Sequence, residues 1–124
     1  VAKDLFLKTG YEKELYDQIK ASALVDTLVY KYSDLPYYIL KKYFENLSKE
    51  PFNKLVEERI FKPLDLNRIT YIPLDKFDPK QIVPSEIDDY FRNRELDGYV
   101  HDMGAAMQGG IGGHAGLFGG AEDP

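Results

Sequence analysis

Tyr30-Lys31-Tyr32-Ser33-Asp34-Leu35-Pro36-Tyr37-Tyr38-Ile39-Leu40 decides the reading of this chain, because a polar Tyr-Ser-Asp triplet stands there at the mouth of an apolar helix. Asp34 is placed as an N-cap, and Pro36 is tolerated in the first turn, where its missing N–H costs little. The helix that follows, about residues 35–47, carries Leu35, Tyr38, Ile39, Leu40, Tyr43, Phe44 and Leu47. A helix apolar on most sides is expected to be buried. A phenol held on a short turn at such a helix N-terminus can exchange a proton with a neighbouring nucleophile.

Upstream, Tyr11, Leu15, Ile19 and Ala23 recur every four residues, which predicts an amphipathic helix over 11–24, with Lys8-Thr9-Gly10 marking its start. Downstream, Pro51 opens a third helix over 51–61 with Phe52, Leu55, Val56 and Ile60 on one face, and Pro63 ends it. Residues 68–73 alternate well enough for a short strand, Ile69 and Tyr71 against Thr70 and Ile72. From Leu74 to about Val100, Pro79 and Pro84 punctuate the chain and no regular period survives, so loops are expected.

Eight of the ten glycines fall between Gly104 and Gly120. Met107, Ile111, Leu117 and Phe118 make that stretch too apolar for a flexible linker, so an ordered loop packed on another surface is expected. Ala121-Glu122-Asp123-Pro124 resembles the start of a further helix. The chain is thus expected to be mostly α with loops, one partial domain over 1–124. It divides into an amphipathic lead-in (1–29), a turn with two helices and a short strand (30–73), and Pro-punctuated and Gly-rich loops (74–124).

At 124 residues and 14.2 kDa, with 44% hydrophobic and 30% charged residues, the composition is that of a globular domain. A net charge of -5 and a pI near 5.0 argue against a nucleic-acid partner, which needs a clustered basic surface. No stretch is apolar for long enough to span a bilayer, and Val1-Ala2-Lys3-Asp4 opens no signal-peptide pattern. The start without Met suggests a piece of a longer protein. With no Cys there is no thiolate zinc site and no cysteine nucleophile.

Three features together carry a resemblance: Tyr32-Ser33-Asp34 before an apolar helix, then Phe61-Lys62-Pro63-Leu64-Asp65-Leu66, then Gly113-His114-Ala115-Gly116-Leu117-Phe118. Their order resembles the serine β-lactamase and penicillin-binding-protein superfamily, in its class C-like and esterase-like branch. The stretch from Val83-Pro84-Ser85-Glu86 to Tyr99-Val100-His101-Asp102, followed by the Gly-His-Ala-Gly segment, looks more narrowly like Bacteroidetes envelope proteins that often carry such a domain behind a glycoside hydrolase.

The resemblance implies the helical subdomain of an α/β, transpeptidase-like fold and acyl transfer through a serine ester, with no cofactor. It implies a peptidoglycan-like or other small-molecule substrate and a periplasmic or cell-envelope location. By position Tyr32 is the proton shuttle, and Asp34 stands where the family has Asn. Ser33, Gly113, His114 and Gly116 would border the active site. Ser22, Ser33, Ser48 and Ser85 are followed at +3 by Val25, Pro36, Pro51 and Asp88. None opens the Ser-x-x-Lys pair that the family's reaction needs, so the nucleophile is expected in the rest of the parent domain.

Blander readings stand beside these. Tyr32, one of ten tyrosines, also reads as a packing residue. The same scaffold also suits a non-catalytic binding module. His101, Asp102 and His114 are a weaker candidate for a metal-dependent hydrolase, although their spacing matches no helical ligand pair. The alternative for them is a histidine bonded to backbone in a tight loop. Glu86, Asp88, Asp89, Arg92 and Arg94 read as a solvated surface with weak ion pairs. Gly110 to Ala115 nominally fits a dinucleotide loop but lacks the strand–helix context and the acidic residue beyond it.

Overall fold

The computed structural model describes residues 1–24 and 28–121, so most of the helix start expected at Ala121-Glu122-Asp123-Pro124 lies outside the described residues. The first helix, α1 (Tyr11–Ala21), begins where Gly10 takes a left-handed backbone, φ 81°. It stops at Ala21, earlier than the periodicity implied, because Ser22 turns extended and its hydroxyl donates to the Ile19 carbonyl.

The second helix, α2 (Leu35–Ser48), starts at Asp34 as the sequence implied, but the expected cap chemistry is corrected. Asp34 has a helical backbone, φ −83° and ψ −16°, and its carboxylate makes no cap bond. Capping needs an extended backbone that aims the side chain at the first N–H groups. Ser33 takes part of that task, its Oγ accepting from the Leu35 N–H at 3.3 Å. Burial of α2 is corrected too. Only Tyr38 and Lys41 are buried, while Leu35, Ile39, Leu40, Tyr43, Phe44 and Leu47 remain exposed.

The third helix is shorter than expected. α3 (Phe52–Val56) widens into a π-helical turn over Glu57–Phe61, where the Lys62 N–H reaches five residues back to the Glu57 carbonyl at 2.9 Å. Pro63 lacks an N–H to continue either ladder. The Glu45 carboxylate on α2 accepts from the Phe52 N–H and so ties the two helices together.

The strand expected over 68–73 is β1 (Thr70–Tyr71). It pairs antiparallel with β4 (Leu117–Phe118), Thr70 against Phe118 and Tyr71 against Leu117. This pairing folds the Gly-rich stretch back across the molecule.

Residues 74–100 are more ordered than their irregular pattern implied. They hold the end of a 3-10 turn that starts at Pro73 (Pro73–Asp75), a second one (Pro79–Gln81) and an antiparallel hairpin, β2 (Glu86–Asp88) with β3 (Arg94–Leu96). Asn93 supplies the left-handed residue that the hairpin turn needs, φ 52°. The reading of the hairpin charges as solvated holds for Glu86, Asp89 and Arg94, which are exposed, and is corrected for Asp88 and Arg92, which are buried. A short helix, α4 (Met103–Ala106), follows, with Asp102 as its N-cap. Val100, Ala105 and Ala106 form the core, with Ala115 and Phe118 packed against it.

Candidate functional site

The site is built where the Gly-rich stretch lies on α2. Tyr38 and Lys41 are three residues apart, so both face the same way from the helix. Gly113 lies so close to α2 that a Cβ there would meet the Tyr37 carbonyl at 2.5 Å. Gly116, at φ 111°, abuts the Gly110 carbonyl in the same manner, so only glycine fits either position. Lys41 Nζ donates to the Ile111 carbonyl at 2.5 Å, and the Tyr71 hydroxyl donates to the Gly112 carbonyl at 3.1 Å. Burial lowers the Lys41 pKa, since a charged amine is costly there.

His114 is the centre of this packing. Its ring stacks on Tyr38, centroids 4.7 Å apart and planes 21° from parallel. Its Nε2 lies 2.9 Å from Asp102 Oδ1, the same oxygen that accepts the Ala105 N–H at 2.6 Å. Burial raises the Asp102 pKa, but the Ala105 N–H and His114 outweigh it and hold the carboxyl below its usual value. An ionised Asp102 accepts a hydrogen bond from Nε2, on the opposite side of the ring from Nδ1. That Nδ1 is buried with no hydrogen-bond partner, as is Gln108 Oε1. The Tyr38 hydroxyl lies over Gly104, where a Cβ would come within 1.7 Å of it. Burial, then the Asp102 charge, raises the Tyr38 pKa.

Tyr32, Ser33 and Asp34 sit one turn before this packing. Tyr32 is 76% exposed, and its pKa is raised chiefly by its hydrogen bond to the Asp34 carboxylate. That direction is opposite to what a proton-accepting tyrosine needs. Gly113 and His114 therefore lie on the helix that the triplet opens, while the triplet itself faces solvent.

His101 does not join Asp102 and His114. Its side chain is exposed, and among the described residues no group of three potential ligands is placed to hold a metal ion. His114 bonds a carboxylate rather than the backbone groups that the blander reading assigned to it. The dinucleotide-like glycines run into strand β4 instead of a helix. Tyr38, Lys41 and the capping role of Asp102 were missed in the sequence. The available signals were a lysine three residues from a tyrosine in an apolar helix, and an Asp directly before Met103-Gly104-Ala105-Ala106.

The chain is similar to proteins named "Putative D-alanyl-D-alanine carboxypeptidase". It is 37% identical to the one from Escherichia coli (strain K12) over 99 residues, which cover 70% of this chain and 23% of the relative. It is 38% identical to one from Salmonella paratyphi B over 104 residues, 74% of this chain and 24% of the relative. The chain thus spans about a quarter of the length of the curated relatives it matches. These relatives are enterobacterial and lend nothing to the narrower likeness to Bacteroidetes proteins. No family model and no solved structure matches.

Proposed function

We propose that this chain is part of a serine hydrolase of the penicillin-binding and β-lactamase-like type. It would act by acyl transfer on a peptide ending in D-alanyl-D-alanine, an ester or a β-lactam. The observation that carries the reading is the 37% identity to the carboxypeptidase-named protein over 70% of the chain. The close seating of Gly113 and His114 on the helix opened by Tyr32-Ser33-Asp34 supports it, because these are the segments the resemblance places at the border of the active site.

In this reading the nucleophilic Ser and its Lys belong to parts of the longer protein outside 1–124. As the Ser oxygen attacks the acyl carbon, its proton passes to Tyr32 and then to the leaving group. Tyr32 can accept that proton only where a cation lowers its pKa. The Asp34 carboxylate beside it is suited to hold the Lys ammonium that would do so. The cell envelope is the compartment this function implies. No helix among the described residues is long and apolar enough to cross a membrane.

A second reading is an inert module on the same scaffold, favoured by the raised Tyr32 pKa and by Asp34 in the Asn position. Intact mass of the full-length protein after treatment with a penicillin and with a fluorophosphonate separates the two, with residues 1–124 as control. A single adduct on the full-length protein and none on the control is the expected result. Absence of any adduct on the full-length protein would favour the inert module.

A further inference from the structure

Arg92 is buried to its guanidinium in a molecule that leaves apolar side chains of α2 in solvent, and stability alone does not explain this. The Arg92 side chain is 0% exposed. Its Nε donates to Asp88 Oδ2 at 2.6 Å, Nη1 to the Val100 carbonyl at 2.6 Å and Nη2 to the His101 carbonyl at 2.5 Å. The other Asp88 oxygen accepts from the Tyr90 and Phe91 N–H groups at 3.1 and 2.7 Å. Buried ion pairs are often replaceable by apolar residues without loss of stability, so what such a pair adds is geometry. The planar guanidinium is suited to that, since its donors leave in fixed directions.

We infer that Arg92 is a positioning residue for the Asp102–His114 pair, and that it holds the Gly-rich loop in place through that pair. The inference rests on the proposed function only in treating that loop as the border of an active site. The two carbonyls it grips immediately precede Asp102. Holding the His101 carbonyl fixes the plane of the His101–Asp102 peptide, because that unit is rigid. Asp102 then keeps the extended backbone, φ −59° and ψ 121°, that lets Oδ1 reach both the Ala105 N–H and His114 Nε2. His114 in turn stacks on Tyr38, in the second turn of the helix that Tyr32-Ser33-Asp34 opens. Each link is a hydrogen bond, a shared peptide or a ring contact, so the series is contiguous from the hairpin to α2.

The test uses the full-length protein labelled with ¹⁵N-histidine, with His114→Gln to assign the ring signal. The wild type is expected to show a slowly exchanging His114 Nε2 proton. Arg92→Met combined with Asp88→Asn leaves no unpaired buried charge, and keeps an acceptor for the Tyr90 and Phe91 N–H groups. In that variant the ring proton should exchange roughly tenfold faster or more, the factor that loss of a hydrogen bond to a charged group carries. Val100→Ala trims core packing but keeps the carbonyl, and should leave the exchange unchanged. Unchanged exchange in the double variant would overturn the inference, as would an equal acceleration in Val100→Ala. The readout needs no turnover, so failure to find a serine adduct would sink the proposed function and leave this result standing.

Discussion

Asp88 and Arg92 are charged and buried, whereas Ile39 and Leu47 on α2 are apolar and 52% and 66% exposed. The hairpin can bury its charges because every polar atom of the pair has a partner, from the Tyr90 N–H two residues from Asp88 to the His101 carbonyl nine residues from Arg92. Desolvation is tolerable when the partners are fully supplied. The α2 face has the opposite problem: its apolar groups need only a surface, and the described residues do not supply one. Burial in this molecule therefore follows where the partners are, and polarity alone predicts it poorly.

The sharpest way to break that comparison is to remove one partner of the buried pair. Arg92→Met should be the most destabilising of these changes, because it removes the partner of the Asp88 carboxylate and of the Val100 and His101 carbonyls. Urea unfolding measures this, and a loss below about 1 kcal/mol, the size typical of an exposed pair, would mean that the pair is effectively solvated. Next in size, Gly104→Ala should cost about 1–3 kcal/mol by driving the Tyr38 hydroxyl off its seat, even though Ala favours helix. Loss of the Tyr38–His114 ring-current shift by NMR should accompany it.

The two regions should also differ in acid. The folded pKa values of Asp88 and Asp102 both lie below their ordinary value of 3.8, Asp88 chiefly through Arg92 and Asp102 through the Ala105 N–H and His114 against an opposing burial effect. Below 3.8 the unfolded chain binds protons that the folded chain refuses, so stability falls as pH drops from about 4 toward the folded values. Asp88→Asn should flatten that decline in an acid titration of the melting temperature, and an equally steep decline would remove Asp88 from it. The smallest effect belongs to the exposed face. Ile39→Lys with Leu47→Lys should change stability by no more than about 0.5 kcal/mol per site. The double variant should raise the concentration at which residues 1–124 self-associate. A large loss of stability instead would show that the face is packed within the chain.

Much of this was legible in local sequence. The start of α1 after Gly10, the start of α2 after Asp34 and the strand at Tyr71 each follow from two or three neighbouring residues. The hairpin was not legible, because strands of three residues are too short to establish an alternating pattern. The Asp34 cap was misjudged because residue type fixes what can cap, while the backbone angle decides whether it does. Gly113 and Gly116 could be singled out as glycines under constraint, but the Tyr37 and Gly110 carbonyls that constrain them could not.

By itself the sequence determined the helical first half, an ordered Gly-rich loop and the order of motifs that resembles serine acyl-transfer enzymes. Those features depend on propensity and spacing over a few residues, and such information is written locally. Only the tertiary structure decided that Asp102 meets His114, that His114 stacks on Tyr38, and that Arg92 grips the carbonyls of Val100 and His101. These contacts join residues that are from 8 to 76 positions apart. Their partners are chosen by how the elements pack and by the need of each buried polar group for a bond, and neither can be read from one position.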